Sequence, residues 1–68
     1  GTYRVDIDKT RAAAASLSEM ILRLQGDGDH AGAARLIQEL GTIRPDLQAD
    51  LDRVAAAGIP VDVVFDQE

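Results

Sequence analysis

The stretch Ala57-Gly58-Ile59-Pro60-Val61-Asp62-Val63-Val64-Phe65 decides the fold. Gly58 suits the C′ position of a helix, where the backbone turns left-handed, and Ile59-Pro60 then prevents the helix from continuing. Val61 to Phe65 is β-branched and aromatic around a single Asp, which is strand chemistry. A helix therefore stops and a strand starts within a few residues.

Upstream of that junction, Pro45 fits the first turn of a helix, where its missing N–H is not needed. Asp46 puts a carboxylate near the positive end of the helix dipole. Leu47, Leu51, Val54 and Ala55 supply an apolar stripe. A second helix is expected over 30–40, with Asp29 as N-cap, Ala33, Leu36, Ile37 and Leu40 as its stripe, and Gly41 as its stop. The longest helix is expected over 9–25, with Asp8 as N-cap and Gly26 as C′ residue. Its stripe reads Ala13, Leu17, Met20, Ile21 and Leu24, and the small, helix-favouring run Ala12 to Ala15 lets another backbone come close. The connector Gly26-Asp27-Gly28-Asp29 is short enough to fold these two helices into an antiparallel hairpin.

At the start of the chain, Tyr3-Arg4-Val5-Asp6-Ile7 alternates apolar and polar residues, so Tyr3, Val5 and Ile7 share one face of a strand. The expected class is α+β and mostly helical. It is a β-α-α-α-β single domain over residues 1–68, a three-helix bundle with two short terminal strands. If each helix reverses the chain, the strands run parallel when paired. A lone parallel pair is marginal, because parallel sheets are normally larger and buried. Two outcomes resolve that tension: the strands extend a sheet elsewhere in a longer chain, or they pair with another copy through their edges. Asp66-Gln67-Glu68 reads as a polar tail. Gly1 reads as a residue left by tag cleavage, and the chain is expected to be a piece of a longer protein.

Composition excludes several function classes. The formal charge is −5, with twelve acidic residues against seven basic ones, and the basic ones are scattered. Phosphate backbones and acidic membranes both require the opposite sign. One Tyr, one Phe and no Trp leave little for base stacking. No nucleic-acid or membrane partner is therefore expected. No apolar run reaches the roughly 20 residues that span a bilayer, and the first residues lack a signal-peptide core. The absence of Cys removes disulfides, thiolate metal sites and Cys nucleophiles, and fits a reducing compartment. Localisation stays open on these grounds, with the cytoplasm favoured.

Each candidate site has a plainer structural reading. Asp27, Asp29 and Gly32 fall at the first, third and sixth positions of a calcium loop. However, Ala31 stands at the fifth and Gln38 at the twelfth, where a bidentate Glu belongs. The favoured reading is a hairpin turn with Asp29 as cap. Gly26, Gly28 and Gly32 follow a helix rather than a strand and lack a P-loop Lys, which rules out a phosphate loop. His30 as a general base would need an orienting Asp27 or Asp29 and a nucleophile. Ser16 and Ser18 lie mid-helix with nothing to activate them, so His30 reads as an exposed turn residue. Asp46, Asp50 and Asp52 make an acidic helix face. Paired-carboxylate catalysis needs a cleft, and Arg53 can neutralise Asp50, so this reads as a solvated face. The apolar stripes read as core rather than as a partner-helix site. The expected lists of catalytic, cofactor-binding and metal-binding residues are all empty.

A family resemblance adds to this. Gly28-Asp29-His30-Ala31-Gly32-Ala33-Ala34-Arg35-Leu36-Ile37 is similar to a helix near the C-terminus of bacterial dipeptidyl-peptidase III-like zinc metallopeptidases. Leu51-Asp52-Arg53-Val54-Ala55-Ala56-Ala57-Gly58-Ile59-Pro60-Val61 resembles their terminal helix-to-strand segment, and Tyr3 to Asp8 followed by a long helix fits the same region. The match covers most of this chain but only the tail of such a protein. The family's His-Glu-x-x-x-His helix and second acidic helix have no counterpart here, so no zinc ligand or catalytic residue carries over. The resemblance implies a zinc-dependent parent peptidase with this segment as its non-catalytic C-terminal accessory domain. Zinc would be bound in the parent only. The segment would dock on the upstream catalytic domain of the same chain or on a second copy. The alternative is a free-standing interaction or dimerisation module.

Overall fold

A computed structural model describes residues 1–66; Gln67 and Glu68, the end of the expected polar tail, lie outside the described residues. The chain runs β1 (Tyr3–Ile7), α1 (Ala12–Gly26), α2 (His30–Ile43), a 3₁₀ turn (Pro45–Leu47), α3 (Gln48–Ala56) and β2 (Val61–Phe65). This is the β-α-α-α-β order expected, with both strands at the expected limits. The strands pair with each other, in parallel, with Tyr3 opposite Val61, Val5 opposite Val63 and Ile7 opposite Phe65. The register places Tyr3, Val5, Ile7, Val61, Val63 and Phe65 on the face toward the helices. Arg4, Asp6, Asp62 and Val64 fall on the other face. The outer face is polar except at half-buried Val64, so this parallel pair packs on the helices through one face, unlike larger parallel sheets, which are covered on both.

The core is built from every element. Val5, Ile7 and Val63 from the strands meet Leu17 and Ile21 of α1, Ile37 and Leu40 of α2, and Leu51 of α3. Ile7, Ile21, Leu40 and Leu51 are completely buried, each worth roughly 1.5–3 kcal/mol relative to exposure.

Local structure departs from the expectations at five points. First, α1 starts at Ala12 rather than at residue 9. The Asp8 carboxylate accepts hydrogen bonds from the Thr10 amide (2.9 Å) and hydroxyl (2.7 Å), closing a turn before the helix instead of capping it. Second, Gly26 is helical, and Gly28 is the C′ residue, at φ +83°. The Asp29 amide donates to Leu24 O and the Gly28 amide to Gln25 O, the paired bonds of a Schellman stop. Third, the buried face of α1 is Ala14, Leu17, Ser18 and Ile21, while Ala13 is exposed and Met20 is 50% exposed. The sheet and α2 together select a face rotated about one residue from the purely apolar stripe. Fourth, Gly41 does not end α2, which runs on to Ile43. A Cβ on Gly41 would lie 2.7 Å from Gln48 Oε1, so the bare glycine admits the start of α3. Fifth, Pro45 opens a 3₁₀ turn ahead of α3 rather than the helix itself. By contrast, Asp29 caps α2 as expected, through Oδ1 and the Gly32 amide (2.9 Å). Gly58, at φ +70°, ends the third helix region as expected.

Two side-chain hydrogen bonds tie distant parts together. The Tyr3 hydroxyl donates to Asp50 Oδ2 (3.1 Å), linking β1 to α3 across 47 residues. Gln25 Nε2 donates to Val61 O (3.0 Å), linking the end of α1 to the start of β2.

Candidate functional site

Two concave regions stand out among the described residues. One is a groove of about 390 Å³ between α2, α3 and the segment leading into β2. Ala33, Ile37, Val54, Ile59 and Val61 make its apolar walls, and His30 and Gln38 stand on its polar side. The other is a shallow charged basin at the carboxyl ends of the two strands, lined by Asp6, Asp8, Arg11, Arg44, Asp46 and Asp66.

The groove is lined mainly by apolar side chains. His30 is there, but the candidate serines are not. Ser16 is exposed on α1, and Ser18 is fully buried with no hydrogen-bond partner for its Oγ among the described residues. Asp29 is committed to the Gly32 amide, and a Cβ on Gly32 would lie 2.5 Å from that carboxylate. This close fit accounts for the glycine that had mimicked a calcium-loop position.

In the basin Arg44 and Asp46 already pair with each other. Arg44 donates to both oxygens of Asp46, at 3.0 and 2.9 Å. Those hydrogen bonds hold the Asp46 carboxyl below the usual carboxylate range and raise the Arg44 guanidinium. The Asp8 carboxyl is lowered by the two bonds from Thr10. Among the described residues, no group of three or more His, Cys, Asp or Glu side chains could hold a metal ion.

The acidic face of α3 is also divided among separate partners. Asp46 faces Arg44, Asp52 accepts from Gln48 Nε2 (3.0 Å), and Asp50 lies between Arg53 (2.9 Å) and the Tyr3 hydroxyl. Burial, and then the bond to Asp50, raise the Tyr3 phenol above its ordinary value. The three carboxylates therefore do not converge on one point, as an acid–base pair must. The groove and the basin themselves went unread in the sequence. Their walls come from residues far apart in the chain, and no local spacing signals them.

No protein-family model matches the chain, and no solved structure matches it. Among curated proteins it is similar to Nudix hydrolase 3 of Arabidopsis thaliana, 37% identical over 62 residues. That alignment takes in 91% of this chain and 8% of the plant protein, so the chain spans a small fraction of the relative it matches. The finding corrects the resemblance drawn from Gly28–Ile37 and Leu51–Val61: it points to a Nudix-related protein and not to a dipeptidyl-peptidase III-like zinc peptidase. Zinc in a parent chain was implied by that resemblance alone and loses its support. No helix among the described residues is long and apolar enough to cross a membrane.

Proposed function

We infer that this chain is a non-catalytic accessory segment of a larger hydrolase. The observation that carries the reading is the similarity to about 8% of a plant protein named as a hydrolase. The arrangement of side chains supports it: the carboxylates of α3 are taken up by structural partners, and His30 has neither nucleophile nor orienting acid. The segment's contribution is a compact surface, with an apolar groove beside α2 and α3, against which the rest of the protein can rest.

Two measurements test this together. The isolated chain is assayed against a panel of phosphoanhydride, ester and peptide substrates, and the matching segment is deleted from the plant relative. The expected results are no turnover by the isolated chain and a lower melting temperature or soluble yield for the deletion. Turnover by the isolated chain at a rate near that of the relative would overturn the reading. So would a deletion that leaves the relative's stability and solubility unchanged.

A further inference from the structure

The sheet has two strands and therefore two outer edges. The Tyr3 amide donates to Pro60 O and the Asp66 amide to Ile7 O, so the odd-numbered residues of β1 point their main chain toward β2. Parallel ladders alternate, which turns the amides and carbonyls of Arg4 and Asp6 outward. Among the described residues those groups have no main-chain partner. The β2 edge differs, because Gln25 already occupies Val61 O there.

We propose that the β1 edge is a self-complementary interface through which two copies of this chain pair antiparallel, about a twofold axis at Val5. Outward-facing residues of one strand must sit opposite outward-facing residues of the other, each pair exchanging its main-chain hydrogen bonds. With the axis at Val5, Arg4 lies opposite Asp6 of the second copy, and Asp6 opposite its Arg4. Arg4 and Asp6 already share the outer face of the sheet, 2.9 Å apart and more than half exposed, so the dimer assembles an alternating square of charge. The neighbouring registers fail this test. Centring on Arg4 puts two guanidinium groups opposite each other, and centring on Asp6 does the same with two carboxylates; like charges directly opposed are destabilising. Charge thus picks both the partner and the register. The edge is short, so the dimer is weak and needs a high protein concentration. The interface stands apart from the accessory-segment reading and does not depend on it.

Sedimentation equilibrium on the whole chain tests it, using Arg4→Asp, Asp6→Arg and the double exchange. All these sites are exposed on the outer face, and circular dichroism checks that each variant keeps its fold. The wild type should self-associate at high concentration, less so in high salt. Either single variant opposes like charges and should weaken association roughly tenfold or more. An equal mixture of the two single variants, and the double exchange alone, should both restore it, because each again sets Arg opposite Asp. A wild type that stays monomeric to millimolar concentration overturns the proposal, and so do single variants that associate as well as wild type. Failure of both rescues also overturns it, since charge would then not be setting the register.

Discussion

Replacing Ser18 by Ala should make this protein more stable. Ser18 is fully buried in the middle of α1, and its Oγ has no hydrogen-bond partner among the described residues. A buried hydroxyl that gives up water and gains nothing costs about 1–3 kcal/mol. Alanine also gains up to about half a kcal/mol of helix propensity over serine. Against these stand the lost contacts of one oxygen, smaller than the roughly 0.8 kcal/mol of a methylene. The net gain is about 1 kcal/mol or somewhat more, or roughly 4–8 °C in melting temperature for a domain of this size. Urea unfolding followed by far-ultraviolet circular dichroism measures it, with an unchanged m-value showing that the gain is in folded-state stability. A Ser18→Ala variant that loses 1 kcal/mol or more would refute the reasoning, because the hydroxyl would then have to be bonded. Ser18→Val is the companion. At a site with no exposure the extra bulk should cost about 1–3 kcal/mol, and a tolerated valine would mean that the surroundings are looser than described.

Two glycines on either side of the α1 stop should respond in opposite directions. Gly28→Ala forces a side chain into left-handed backbone and should cost about 1–2 kcal/mol, whereas Gly26→Ala fills a helical position with open space around it and should gain about 0.5–1 kcal/mol. Comparable losses at both in chemical denaturation would contradict the placement of the stop. Leu51→Ala removes a completely buried side chain shared by α3 and the core and should cost about 2–5 kcal/mol, read from the urea midpoint. In acid, Asp8 and Asp46 have folded pKa values below their unfolded ones, so their contribution is complete above about pH 4 and is lost as pH falls through the lowered folded values. Asp46→Asn should flatten the acid limb of a stability–pH curve, and an unchanged limb would refute the assignment. In base, the raised Tyr3 phenol reverses the sign: its contribution is present below about pH 10 and is lost as pH rises toward the higher folded value. Tyr3→Phe should remove that alkaline loss, as measured by thermal melts between neutral pH and pH 11.

Both strand limits, the Asp29 cap, the Gly58 stop and the β-α-α-α-β order were legible in the sequence, because each is set by energetics within a few residues. A carboxylate reaches an amide three residues on, a glycine accepts positive φ, and β-branched residues crowd a helix. The same reasoning failed where a second group within a few residues competed for the same role. Asp8 reads as a helix cap until Thr10 takes its carboxylate. Gly26 reads as a stop until Gly28 makes the Schellman bonds, and Gly41 reads as a stop until Gln48 packs over it. The candidate sites followed the same division. Sequence motifs put carboxylates at suggestive spacings and already offered Arg53 to Asp50 and the cap role to Asp29; the folded chain added Arg44 to Asp46, Gln48 to Asp52 and the Tyr3 hydroxyl to Asp50.

The sequence by itself determined which segments are helix and strand, the acidic balance, and the absence of thiol chemistry. All of these are sums of local or compositional terms. Tertiary structure decided how the segments meet: that Tyr3–Ile7 pairs with Val61–Phe65 in the same chain, in the parallel sense expected, the face of α1 that is buried, the bond from Tyr3 to Asp50, and the open main-chain edge beside Arg4 and Asp6. Those outcomes depend on contacts spanning most of the chain. Their energies are settled only when all the helices compete for the same apolar face of one small sheet, and no window of neighbouring residues contains that competition.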